Sequence, residues 1–178
     1  IAACVTLIFA FDFMHFAQTR IATIDVFVTF FIIAMYYFMY KYVNLSFYDT
    51  PLKKTFVPLG ICGVLMGFGV ASKWTGAYAG VGLGVLFFVN LFRRYREYSY
   101  AKKAGAGKTN GIEHKFVVDH FKSYTIKTLL FCCVFFVVIP VLIYTLSYIP
   151  FSDGSEDGLI AQMLKNQETM FSYHSQLK

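Results

Sequence analysis

The chain has 178 residues, 57% of them hydrophobic and 20% aromatic, with only 15% charged and a mean hydropathy of +0.57. Soluble domains are roughly 45–50% apolar and about 25% charged, so this composition excludes a water-soluble globule. The 21 Phe and 13 Tyr equally exclude a disordered chain, and a net charge of +6 has a meaning that depends on where the charges lie.

The first apolar stretch, Ile1 to Phe11, opens in mid-run without a basic leader or cleavage-site pattern, and reads as the interior of a longer polypeptide. The next uncharged runs are Val26–Tyr40 (15 residues), Thr55–Ser72 (18), Trp74–Phe92 (19) and Thr128–Ser152 (25). A spanning helix needs about 20 mostly apolar residues, or about 17 at the short end. Five membrane segments are therefore predicted, at about 1–16, 22–40, 56–72, 76–92 and 126–149. Pro140 is expected to kink the last one. Cys4, Cys62, Cys132 and Cys133 all fall inside apolar runs, which reads as packing rather than a disulfide framework.

Lysine and arginine orient these segments. Arg93 to Lys127 holds nine of the 16 basic residues, which makes 93–127 a basic cytoplasmic loop by the positive-inside rule. Lys41, Lys53 and Lys54 then fall on the same side by alternation. The short connections near 16–21 and 72–76, and the segment 151–178, fall outside. Topology thus accounts for the positive charge, and nucleic acid is not needed as a partner. Asp12, His15, Arg20, Asp25 and Lys73 all gather at the outer boundary, where ionisable residues beside apolar segments commonly mark a site.

The motifs follow in the same order. Asp12 and His15 stand three apart on one helix face, too few ligands for a metal site, and none is predicted. Arg20 and Asp25 flank a helix start in QTRIATID, where Thr19 and Thr23 are available caps. A structural Arg–Asp pair is one reading, and a guanidinium for a lipid-borne phosphate is the other. Asn44-Leu45-Ser46 matches a glycosylation sequon but lies on the cytoplasmic side. Gly60, Gly63, Gly67 and Ala71 form a small-residue stripe, and Gly76, Gly80 and Gly84 form a second. Between them a hairpin would hold Lys73 beside Trp74. A snorkelling lysine next to an interfacial tryptophan explains that pair equally well. AGAGKTNG around Lys108 departs from a phosphate loop, because Lys102 stands where glycine is required; it reads as a flexible linker. From Leu159 onward, apolar residues recur at helical spacing, with Glu156 and Asp157 ahead of them. They predict an amphipathic interfacial helix over about 158–177, in which Gln167 and His174 interrupt the stripe.

QTRIATID, SKWTG and the closing MFSYHSQL resemble, in this order, the protein O-mannosyltransferase family of polytopic membrane glycosyltransferases. The Tyr173–Ser175 run is similar to the prokaryotic branch. The resemblance implies an all-α GT-C type transmembrane core over 1–150, followed by an extracytoplasmic loop over 151–178. It also implies transfer of mannose from a polyprenyl phosphate donor to Ser or Thr hydroxyls of proteins, without a cofactor. The membrane would be a prokaryotic plasma membrane, or the endoplasmic reticulum in a eukaryote. Carried onto this chain, the family's phosphate-binding cations fall on Arg20 and Lys73, with Asp25, Trp74, Gln167 and His174 as supporting candidates. The catalytic Asp-Glu pair is expected upstream of Ile1, so that this stretch by itself would be inactive. Two alternatives remain at this point: a related lipid-linked-sugar transferase with another sugar or a lipid acceptor, and a transporter or flippase. The second is disfavoured because no internal repeat is present and the charges cluster at one face.

Overall fold

The computed structural model describes residues 2–12, 17, 25–46, 48–104, 111–151 and 158–176. Arg20 and His15, the Thr19 and Thr23 caps, the Lys108 linker and the acidic residues Glu156 and Asp157 lie outside them. Among the described residues every regular element is helical: α1 (Ala2–Ala10), α2 (Asp25–Val43), α3 (Leu52–Ser72), α4 (Thr75–Ala104), α5 (Gly111–Cys133), α6 (Ile139–Leu146) and α7 (Gly158–Gln176). A π-helical turn, Val134–Val138, joins α5 to α6, and a 3-10 turn, Ile149–Phe151, follows α6.

Four stretches are long and apolar enough to cross a membrane: Asp25–Val43, Leu52–Ser72, Thr75–Lys103 and Lys115–Leu146. Of the fifth predicted segment, 1–16, the described residues show the nine-residue helix α1. The basic stretch 93–127 is more helical than a loop, since α4 runs on to Ala104 and α5 begins at Gly111. Positive charges close the helices here rather than break them: Lys102 and Lys103 occupy the last turn of α4, where the helix dipole favours cations.

Packing converges on α3. The core joins Met35, Met39 and Tyr42 of α2, Leu59 and Cys62 of α3, and Leu83 and Phe87 of α4. Tyr42 stacks on Phe87 at 6.2 Å, and the Cys62 thiol donates to the Met35 carbonyl at 3.2 Å. Cys4, Cys62, Cys132 and Cys133 are all free thiols. Outward faces stay apolar, as on α4, where Val81, Val85, Phe88 and Phe92 are each more than half exposed. A contiguous stripe of that size is a lipid or protein contact, not a water surface.

The two small-residue stripes do not face each other. Gly60, Gly63 and Gly67 turn toward the α5–α6 helix. A methyl carbon at Gly60 would stand 3.1 Å from the Phe131 ring, and one at Gly67 would stand 2.7 Å from Ile143 Cδ1. At Gly63 it would run into the Phe135 carbonyl. Of the second stripe, Gly76 meets the backbone of Gly69 and Gly80 meets Met66, while Gly84 faces open space. Phe131 adds an aromatic ladder across the first seam, stacking on Phe56 at 4.4 Å and on Phe135 at 4.2 Å.

Pro140 acts differently from a simple kink. Having no N–H, it leaves the Phe136 carbonyl without its usual partner, and its ring crowds that carbonyl. The chain answers one turn earlier: the Ile139 N–H bonds to the Val134 carbonyl, five residues back, and the helix widens into the π turn. The widened turn carries Phe135, whose carbonyl sits over Gly63.

Gly63 and Gly84 therefore make a matched pair of tests. Gly63→Ala is expected to destabilise the protein by about 1–3 kcal/mol through overpacking. Gly84→Ala meets nothing and should be neutral or stabilising by up to about 1 kcal/mol. Thermal unfolding of the two variants in detergent separates them. Equal melting temperatures would mean that the α3 seam is not close-packed.

Candidate functional site

Two helices meet at a break of two residues. α3 stops at Ser72, and Lys73 takes extended backbone (φ −161°, ψ 142°) with its N–H still bonded to the Gly69 carbonyl at 3.0 Å. The next helix restarts at once, with Gly76 N–H on the Lys73 carbonyl and Ala77 N–H on the Trp74 carbonyl, both at 2.9 Å. Only glycine fits at 76, because an added methyl carbon would stand 2.6 Å from the Gly69 carbonyl carbon. This tight crossing fixes Lys73 and Trp74 at the tip of the hairpin.

Asp25 opens α2 at the same end of the molecule, and its Oδ1 accepts a hydrogen bond from the Lys73 ammonium. Asp25 thus pairs with Lys73 across 48 residues; Arg20, the other partner read from the sequence, lies outside the described residues. Both side chains are about half exposed, at 45% and 53%. An exposed pair of this kind contributes less than about 1 kcal/mol, so it orients the ammonium without locking it.

Beside the hairpin tip lies a cavity of 960 Å³ bounded by Lys73, Trp74, Tyr78, Tyr144, Tyr148 and Asn166. Val70, Met170 and Phe171 supply an apolar wall. Its size matches the clefts that take organic ligands, which run to about 1,000 Å³. No carboxylate lines the cavity among the described residues. Nor does any group of three or more His, Cys, Asp or Glu come together there or elsewhere among them to hold a metal.

Helix α7 forms one wall. Gly158 starts it with φ +64°, a left-handed value natural to glycine. Gln167 donates its amide to the Tyr144 hydroxyl, and Tyr144 in turn shares a hydrogen bond of 3.0 Å with Tyr148. Thr145 reaches Met163 Sδ at 3.5 Å. Gln167 therefore faces α6 and holds the cavity wall rather than lining the cavity itself. His174 belongs to α7, but its side chain lies outside what is described. Asp12 follows α1, is exposed and does not line the cavity.

Tyr144, Tyr148, Tyr78 and Asn166 were not singled out from sequence. The available signal was the i, i+4 spacing of Tyr144 and Tyr148 at the end of a membrane segment, which is also the ordinary pattern of an interfacial aromatic belt. Tyr144→Phe removes one neutral hydrogen bond, worth about 1 kcal/mol, from the α6–α7 contact. Amide hydrogen exchange within α7 should then quicken about fivefold, while α3 stays unchanged. Unaltered α7 exchange would show that Gln167 does not hold this wall.

The family model of dolichyl-phosphate-mannose-protein mannosyltransferase matches residues 1–151. No curated protein and no solved structure gives a match. The matched stretch takes in α1 to α6, including the hairpin that carries Lys73 and the tyrosines facing it. The chain belongs to the dolichyl-phosphate-mannose-protein mannosyltransferase family, membrane glycosyltransferases with the GT-C architecture.

Proposed function

We propose that the Lys73 cavity receives the phosphate head of a polyprenyl-phosphate-linked mannose, and that the sugar passes to a Ser or Thr hydroxyl on the extracytoplasmic face. The observation that carries this reading is an ammonium at the edge of a cavity whose other wall is apolar and aromatic. Such a surface suits a ligand with an anionic head on an isoprenoid chain. The charge distribution along the helices supports the sidedness. Asp25 and Lys73 share one end, and the ends of α2 and α4 opposite them carry Lys41, Arg93, Arg94, Lys102 and Lys103, which the positive-inside rule places in the cytoplasm.

Lys73 holds the phosphate in this scheme, with Arg20 as the second cation. Arg20, five residues before Asp25 in the sequence, is the other phosphate-binding cation that the resemblance implies. Fixed positive charge stabilises the phosphate as it leaves the anomeric carbon, which lowers the barrier more than it strengthens ground-state binding. Asp25 aims the ammonium before the donor arrives and yields it at low cost, because the exposed pair is weak. Trp74 and Tyr78 offer faces for the sugar or the first isoprene unit. The acceptor hydroxyl still requires a general base. The resemblance implies an Asp-Glu pair in that role.

In the intact enzyme, Lys73→Ala is expected to lower transfer from a polyprenyl-phosphate-mannose donor by about 10²-fold or more, mostly in kcat, the usual cost of losing one charge-stabilising donor. Lys73→Arg should recover part of the loss, and Arg20→Ala should behave like Lys73→Ala. Steady-state transfer of radiolabelled mannose to an acceptor peptide measures all three. Full activity in Lys73→Ala would exclude the cavity as the donor site.

A further inference from the structure

A second cavity lies at the opposite end of the helices, where the α2–α3 connection meets α4 and α5. It measures 800 Å³ and is bounded by Asn90, Arg93, Arg94, Glu97, Tyr48 and Asp49, with Val43, Leu45, Phe116 and Val117 as apolar walls. Asn90 is 4% exposed, and its side-chain N–H donors have no hydrogen-bond partner among the described residues. A buried amide left in that state is costly, and the cost disappears when an acceptor oxygen sits beside it. Arg94, 3% exposed, is already anchored by its bond of 2.6 Å to the Leu45 carbonyl and lies over the Tyr42 ring at 5.4 Å. It is a fixed cation on the cavity wall. Burial, and after it the nearby Glu97, pushes the Tyr48 hydroxyl above its ordinary range.

The charges around the cavity balance, Arg93 and Arg94 against Asp49 and Glu97. A purely anionic ligand would gain from the arginines and lose to the carboxylates. A ligand carrying both signs a few ångströms apart satisfies each pair, and the unfilled Asn90 donor calls for the anionic half beside it. We propose that this cavity is a phosphoethanolamine-binding site, with the phosphate on Asn90, Arg93 and Arg94 and the primary ammonium toward Asp49 and Glu97. The group that bears it is the head of a membrane phospholipid or its water-soluble counterpart. The apolar walls and the position at the end of four spanning helices fit the lipid.

The test uses the intact enzyme in phosphatidylcholine nanodiscs containing one fifth phosphatidylethanolamine or one fifth phosphatidylglycerol, read by native mass spectrometry. A parallel titration of the detergent-solubilised enzyme uses O-phosphoethanolamine. The expected result is retention of phosphatidylethanolamine at least tenfold above phosphatidylcholine, whose quaternary ammonium cannot donate to Asp49 or Glu97, and above phosphatidylglycerol, which has no ammonium. Asn90→Ala should abolish that preference, and Glu97→Gln, an exposed change that leaves folding intact, should weaken it several-fold. Binding of O-phosphoethanolamine with the same dependence on Asn90 would support the site and assign it to the soluble compound. Equal retention of the three lipids with no binding of O-phosphoethanolamine, or a preference unchanged in Asn90→Ala, would overturn the proposal.

Discussion

The arrangement rests on how closely two helix backbones approach along one face of α3. Glycine at 60, 63 and 67 removes the side chains that would keep the α5–α6 helix at an ordinary distance, and Phe135 and Ile143 move into the space. Helices in lipid have no hydrophobic drive to associate, so this close fit is the main attraction available to them. The seam also sets the height at which α6 ends. Tyr144 and Tyr148 come to stand opposite Lys73 because α3 and α6 are held in register several turns below. The cavity is therefore a product of the packing that runs up to its lining.

The hairpin tip converts that packing into electrostatics. A helix break of two residues, with backbone crossing backbone at Gly69 and Gly76, leaves Lys73 little freedom of position, and Asp25 fixes its direction. At the far end the problem is solved otherwise: Arg94 is buried against a carbonyl and an aromatic ring. One end thus keeps its cation loosely held and exchangeable. The other builds its cation into the fold. That difference is consistent with the exchangeable ligand proposed for the Lys73 end.

Much of this was legible in the residues. Uncharged runs located the spanning helices, because lipid leaves a chain no alternative to satisfying its backbone internally. SKWTG marked the hairpin tip because a lysine next to a tryptophan between two apolar runs has few places to sit. Partner identity was not legible. Asp25 is five residues from Arg20 and 48 from Lys73, and periodicity says nothing about which helices become neighbours. The glycine stripes were legible only in part: spacing shows that a face is smooth, not which helix lies against it. Asn90 and Arg94 were hidden for another reason. A basic stretch beside a membrane is so well explained by topology that a buried arginine within it carries no separate mark.

The π turn at Val134–Val138 has a further consequence. In a helix each residue turns the chain by about 100°, so a single added or removed residue rotates everything beyond it by that angle. The π turn amounts to one surplus residue set between the seam at Gly63 and the tyrosines at the top of α6. The widened turn takes up that surplus residue locally, so the rotation it would otherwise impose on Tyr144 and Tyr148 is contained. The irregularity works as a buffer: the seam below keeps its fit to Gly63, and the tyrosines above keep their place across the cavity from Lys73.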